Sequence, residues 1–319
     1  MNILITGGLG YIGGRVAHYL KENEPHTNIF LTTRNKHSRE LPQWTEKFTV
    51  LEMDVLDEDS IDHCLNNKNI DVIIHLAAMN EIDSIKYPES ALNVNTLGTY
   101  KLLKVAHANN VNKFIYFSTF HVYGETTSII TEESPTRPFH PYAITHRAAE
   151  DFVVYFDHYH AMNTLIFRLS NSYGYPMDKE INRWTLVFND LCRQAVTTGR
   201  IVLKSSGKQY RDFVPLHDVA RAVHHFLFVS PENLKGGTYN LGGNCSLSIL
   251  EVAQKISSVY KSKYEDKSID IIVNQDDNSV IPKPFKFSIE KILRTGFTLK
   301  GNLLYEIEKT MELCEEFIS

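Results

Sequence analysis

The sequence predicts an α/β fold: a doubly wound parallel sheet covered by helices, followed by a smaller C-terminal domain. Three observations carry this. Short β-branched runs alternate with longer helical patterns, the runs are nearly continuous in apolar residues, and the first of them opens into a glycine-rich turn. A strand that is apolar at every position is buried on both faces, as a parallel strand is when helices pack above and below it. Regular alternation of strand and helix is the pattern of βαβ units.

In chain order, Ile3 to Thr6, Ile29 to Thr33, Phe48 to Met53, Val72 to Leu76, Phe114 to Ser118 and Thr164 to Leu169 read as strands. Ile12 to Leu20, Ala91 to Asn109 and Tyr142 to His160 read as helices between them. After Leu169 the alternation fades, and glycine, proline and charge become frequent around Tyr173-Gly174-Tyr175-Pro176 and Gly236-Gly237. Asp212 to Pro215 and His217 to Val229 read as a strand and a helix that return to the sheet. The expected division is therefore residues 1–169 with about 209–238 as one domain, and about 170–208 with 239–319 as the second, smaller domain.

With 319 residues, 43% hydrophobic and 22% charged, the chain can bury a sizeable core. A net charge of -5 gives no general electrostatic reason to bind nucleic acid or an anionic membrane, so a small-molecule ligand is expected. Cys64, Cys192, Cys245 and Cys314 lie far apart with no CxxC pair, signalling neither a zinc site nor a disulfide framework. No basic leader precedes the first strand, and apolar runs such as Asp71 to Met79 fall short of the roughly 20 residues that span a bilayer. A cytoplasmic location is expected.

Thr6-Gly7-Gly8-Leu9-Gly10-Tyr11-Ile12-Gly13 follows a strand and precedes an amphipathic helix, the context that turns a weak glycine motif into a Rossmann-type dinucleotide site. Gly7 and Gly8 permit the tight turn, Gly10 lets backbone N–H groups approach a pyrophosphate, and Gly13 allows close packing of helix on strand. The helix N-terminus at Tyr11 and Ile12 then offers partial positive charge to phosphate. An NAD site usually carries an acid about 20 residues on, at the end of the second strand, to grip the ribose 2′-hydroxyl. Here that strand ends Leu31-Thr32-Thr33-Arg34-Asn35-Lys36, and Arg34, Lys36 and Arg39 are suited to a 2′-phosphate. NADP is thereby favoured over NAD; the other reading is that these are ordinary solvated charges.

Besides the glycine turn, the sequence carries Asp54-Val55, Asp71 to Ala78, Asn95 within NVNTLGT, Ser118-Thr119 leading to Val122-Tyr123-Gly124, and Pro141-Tyr142. In that order these landmarks resemble the extended short-chain dehydrogenase/reductase superfamily, in its nucleotide-sugar epimerase, dehydratase and reductase branch. Arg168 to Gly174 and Tyr210 to Val214 complete the series, so the resemblance covers nearly the whole chain. It implies that Asp54 and Val55 lie near the adenine, and that Leu76, Ala77, Ala78 and Asn95 lie on the cofactor side. It further implies that Tyr142 is the acid or base, that Thr119 steadies the reacting oxygen, and that Asn171 and Arg211 meet a substrate diphosphate. Arg211 could instead pair with Asp212. The helices at Ala91 to Asn109 and Tyr142 to His160 correspond to those of a four-helix-bundle homodimer, although Leu102, Val105, Phe152, Val153 and Phe156 could equally be monomer core.

Two departures from the family pattern matter. YxxxK is replaced by Tyr142-Ala143-Ile144-Thr145-His146, with His146 on the helical face of Tyr142 one turn on. His146 is expected to contact the cofactor and to do the lysine's work only partly, since an unperturbed imidazole titrates near 6.5 and activity should then fall as pH rises through that range. Where dehydratases of the family carry an Asp-Glu pair after the threonine, this chain has Phe120 and His121, which disfavours 4,6-dehydration and leaves His121 beside the substrate. The resemblance thus implies an NAD(P)-dependent enzyme acting on a nucleoside-diphosphate sugar, with hydride transfer at C4. The alternative is a catalytically weakened dinucleotide-binding sensor or scaffold.

Overall fold

The computed structural model describes residues 1–34, 36, 40–124, 129–229, 237–264, 267–274 and 285–318. The chain opens with β1 (Asn2–Thr6) and α1 (Tyr11–Asn23), then β2 (Asn28–Thr33), β3 (Thr49–Glu52), α2 (Glu58–Leu65) and β4 (Val72–His75). Two short helices, α3 (Glu81–Lys86) and α4 (Pro88–Ala91), lead to α5 (Gly98–Ala108) and β5 (Lys113–Thr119). A short β6 (Ile129–Ile130) precedes the long α6 (Pro141–His160) and β7 (Asn163–Leu169). There follow β8 (Asn171–Tyr173), α7 (Val187–Thr198), β9 (Arg200–Leu203), β10 (Tyr210–Pro215), α8 (Leu216–Phe228) and β11 (Thr238–Leu241). The chain ends with β12 (Ser246–Ser248), α9 (Ile249–Lys263), β13 (Asp270–Val273), β14 (Lys286–Phe287), α10 (Glu290–Leu293) and α11 (Leu303–Glu315).

The large sheet has seven parallel strands in the order β3-β2-β1-β4-β5-β7-β11. From the central β1 the chain winds outward through β2 and β3, then crosses back to β4 and winds outward the other way, which opens a crevice at the carboxyl ends of β1 and β4. Both faces of the sheet are covered, so neighbouring strand residues serve different cores. Ile3 and Ile5 join Val16, Leu20, Val219 and Phe226 of α1 and α8. Leu4 joins Ile61, Leu102 and Val153 of α2, α5 and α6. That two-sided burial is why the strands read as continuous apolar runs. A third core, around Tyr173, Phe188, Phe213, Ile256 and Met311, belongs to the smaller C-terminal unit.

Two expectations are corrected. Asp212 to Pro215 does form a strand, but β10 pairs with β8 and β12 in a separate three-stranded sheet, and the seventh strand of the large sheet is Thr238–Leu241. A short apolar run records that it is buried, not which sheet receives it. The reading of Ala91 to Asn109 as one helix misses a π-helical stretch at Leu92–Leu97 between α4 and α5. Such a bulge shifts the register of the side chains beyond it. Among the described residues no helix is long and apolar enough to cross a membrane, and no group of three or more His, Cys, Asp or Glu residues is placed to hold a metal ion. The four cysteines are free thiols.

Candidate active site

The crevice is a cleft of about 700 Å³ between the strand ends of the large sheet and the smaller unit. Gly7 takes a φ of +63°, and a side chain there would press on the backbone of Leu76 and Ala77. A Cβ at Gly13 would collide with the Gly7 carbonyl oxygen, so α1 sits as close to the turn as a bare backbone permits. The Gly10 N-cap supplies no side-chain acceptor, which leaves the first-turn N–H groups of Tyr11, Ile12 and Gly13 facing the cleft without a capping partner. Gly8 does not line the cleft; it packs beneath the turn, where a Cβ would lie 2.9 Å from Leu31.

At one end of the cleft stand Asp54 and Val55, with the Asp54 carboxylate accepting the Leu56 N–H at 2.9 Å. Arg34 is exposed at the rim beyond β2, with no ion pair among the described residues; Arg39 lies outside the described residues. Leu76, Ala77 and Ala78 form the floor. Their backbone is held by Thr6, whose hydroxyl accepts the N–H groups of Leu76 and Ala77, each at 3.1 Å, and meets His75 Nδ1 at 2.6 Å. Asn95 does not line the cleft as expected. It is buried behind the floor, where Oδ1 accepts the Met79 N–H at 2.7 Å and Nδ2 donates to Thr145 at 3.0 Å, so it acts as a strut.

At the other end Thr119, Tyr142 and His146 converge from two elements. Thr119 ends β5, and its hydroxyl oxygen accepts the His121 N–H at 3.3 Å, capping the short turn that carries His121. Tyr142 sits in the first turn of α6, which begins at Pro141 with the His140 imidazole accepting the Ala143 N–H. Burial raises the Tyr142 phenol above its ordinary range. The Arg183 guanidinium opposes that rise, the Glu81 carboxylate adds to it, and a hydrogen bond with Thr119 opposes it.

His146 lines the same end, its ring edge-on to Tyr142 with centroids 4.5 Å apart. Nδ1 hydrogen-bonds the Tyr116 hydroxyl at 2.7 Å, while Nε2 is buried without a partner. Burial, reinforced by His121, pushes the imidazole down to about 3, so it is neutral at physiological pH. The ordinary titration near 6.5, on which the expected pH dependence rested, is thus displaced well below that range by burial. Spacing put the residue on the right face, but burial decided its charge. His121, its ring tilted 36° against Phe120 with centroids 4.1 Å apart, is likewise held down to about 4 by burial, then by His140 and Arg211.

Opposite stand Asn171 and Arg211. Arg211 is exposed and donates to Asn171 Oδ1 at 3.4 Å. It is not paired with Asp212, whose buried carboxylate instead accepts the Ser170 hydroxyl and the N–H groups of Gly243 and Cys245. The guanidinium is left open to the cleft. Sequence reasoning missed Arg183 and Glu81, which line the cleft but belong to no recognisable motif.

A family model described as the NAD dependent epimerase/dehydratase family matches residues 3–242. Among relatives, a dTDP-D-glucose 4,6-dehydratase of Bos taurus is 29% identical over 327 aligned positions, covering 98% of this chain and 88% of its own length. Among solved structures, a UDP-glucose 4-epimerase of Thermotoga maritima with UDP-glucose superposes with a TM-score of 0.82, 21% identity and full coverage of both chains. A UDP-glucuronic acid 4-epimerase of Bacillus cereus, in complex with UDP-glucuronic acid and NAD, gives a TM-score of 0.81 at 23% identity over 99% of this chain and 100% of its own. On the strength of the match across three-quarters of its length, this chain belongs to the NAD-dependent epimerase/dehydratase family.

Proposed function

We propose that the protein is an NAD(P)-dependent enzyme that oxidises and re-reduces C4 of a nucleoside-diphosphate sugar. The observation that carries this reading is the convergence of Tyr142, Thr119 and the unpartnered His146 Nε2 at one end of a cleft whose other end is a bare glycine turn. A dinucleotide fits these residues. A Cβ at Gly7, Gly10 or Gly13 would crowd the backbone of the turn or of the floor, so these glycines let turn, floor and helix pack closely, and the uncapped N–H groups suit a pyrophosphate. A buried polar nitrogen with no partner calls for a ligand group to satisfy it. The bound nicotinamide supplies the capacity to take up and return hydride.

The chain's own residues do the rest. Neutral His146 orients the cofactor by a hydrogen bond from Nε2 rather than by charge. Tyr142 takes the proton from the C4 oxygen and later returns it, while Thr119 hydrogen-bonds that oxygen. Asn171 and Arg211 bind the sugar diphosphate, with Arg211 presenting a fork of donors to phosphate. Two of the structural neighbours are named as 4-epimerases. Elimination of water requires an acid and a base, and the two positions after Thr119 hold Phe120 and a neutral His121, which favours epimerisation over dehydration.

Two finer readings accompany this. Arg34 favours a 2′-phosphate, hence NADP, although the Bacillus cereus neighbour is named with NAD. The exposed Ile144, Tyr155 and Tyr159 of α6 and Leu97 beside α5 give these helices an apolar outer face suited to a homodimer through a four-helix bundle.

Incubation with UDP-glucose and NAD in deuterated water, followed by NMR of the sugar, tests the reaction. The account expects inversion at C4 with no deuterium on carbon. A 4-keto-6-deoxy product carrying solvent deuterium would establish dehydration instead. Cofactor binding with no turnover across a panel of nucleotide sugars would favour the sensor.

A further inference from the structure

Tyr142 must give up and regain a proton in a place where burial opposes its ionised form. The groups that face it are His146 on its own helix, Tyr116 behind that ring, His140 and His121 beside it, and Glu81 and Arg183 across the cleft. His146 and His121 are neutral, and the His140 imidazole accepts an N–H as the cap of α6. Arg183 is the permanent cation among them.

Its position is built by the segment before α7. The neighbouring Trp184 turns into the smaller unit's core, 5% exposed, with Nε1 donating to the Lys179 carbonyl at 2.8 Å. The Arg183 carbonyl accepts the Leu186 N–H and Asn189 Nδ2, each at 3.3 Å, and Asn189 Oδ1 in turn receives the Tyr11 hydroxyl at 3.4 Å. With its backbone tied down, Arg183 lines the same cleft as Tyr11, Thr119 and Tyr142, and its charge acts on both tyrosines. It makes no ion pair among the described residues.

We infer that Arg183, contributed by the smaller unit, is the positioning residue that supplies the positive charge favouring the Tyr142 phenolate, in place of a cation at position 146. The inference rests on the reading that Tyr142 exchanges the substrate proton. When Tyr142 is ionised, it accepts the proton from the C4 hydroxyl as hydride leaves that carbon, and it is restored when the proton goes back. Arg183 remains protonated throughout and stabilises only the phenolate form. Glu81, which is exposed, works against it.

The test is an ultraviolet titration of the Tyr142 phenolate, isolated by subtracting the Tyr142→Phe protein and run beside turnover against pH. Proteins compared are the parent, Arg183→Lys, Arg183→Met and Glu81→Gln. Arg183→Met should move the Tyr142 titration and the matching limb of the turnover profile upward by about one pH unit, and lower kcat near neutrality about tenfold with little change in KM. Arg183→Lys should stay close to the parent, and Glu81→Gln should shift the titration downward. If Arg183→Met does not fold, Arg183→Gln, which keeps donors without charge, carries the same comparison. A raised KM with unmoved titration and kcat would overturn the inference and make Arg183 a diphosphate contact. Because the titration needs no turnover, a shifted phenolate in an inactive parent would remove the proposed reaction while leaving the role of Arg183 standing.

Discussion

The two ends of the cleft are made of different materials. The glycine end is backbone: positions where a Cβ would collide, N–H groups left uncapped, and a floor hung from Thr6. The other end is side chain, assembled from the end of β5 and the start of α6, with the Tyr116 hydroxyl bonded to His146. A backbone site tolerates no added atom, and its chemistry is the same in any chain that folds this way. A side-chain site depends on burial and charge, which one substitution can reset, and here lysine's place is held by a neutral imidazole.

Predictions follow that contrast, the largest first. Tyr142→Phe should lower turnover about 100-fold or more while leaving nicotinamide binding nearly unchanged, measured by steady-state rates and a cofactor titration. Equal turnover would place the chemistry elsewhere. Gly13→Ala should do the reverse, raising the Kd for the dinucleotide about 10- to 100-fold through a clash costing about 1–3 kcal/mol, since α1 must move off the turn. Unaltered binding would show that the backbone is not the limiting feature.

Acid should weaken the fold through its buried neutral histidines. His75 and His146 are each held down to about 3 by burial, below the unfolded value near 6.5, so the unfolded chain binds more protons in between. Their contribution is complete above about 6.5 and drains as pH falls toward 3, at about 1.4 kcal/mol per pH unit for each. Denaturant melts at several pH values check this, and His146→Gln should flatten the slope by about one proton. The same neutrality means that turnover should show no fall through the ordinary histidine range as pH rises. Arg34→Asp is the smallest effect, about tenfold against NADP relative to NAD; equal losses for both would remove the 2′-phosphate assignment.

Much of the fold was legible because parallel strands buried on both faces announce themselves, and the glycine turn because its spacing is a steric requirement. The cleft indeed gathers Thr119, His121, Tyr142, His146, Asn171 and Arg211, residues separated by up to 92 positions in sequence. What could not be read was environment. Nothing in the spacing of Tyr142 and His146 reveals that Tyr116, 30 residues earlier, takes up Nδ1 and helps bury the ring. Arg183 and Glu81 lie in segments without a motif, so only the folded chain brings their charges to Tyr142. β10 and β11 are alike as short buried runs, and their sheets are chosen by contacts with β8 and β7.

The central claim, that this cleft moves hydride from a nucleotide-sugar carbon with Tyr142 handling the proton, is met most directly by mixing the cofactor-loaded protein with UDP-glucose carrying deuterium at C4. The near-ultraviolet band of reduced nicotinamide should appear more slowly than with unlabelled sugar, the deuterium should be retained in the product, and Tyr142→Phe should suppress the band. A rate indifferent to the label, or deuterium lost to water, would contradict the account.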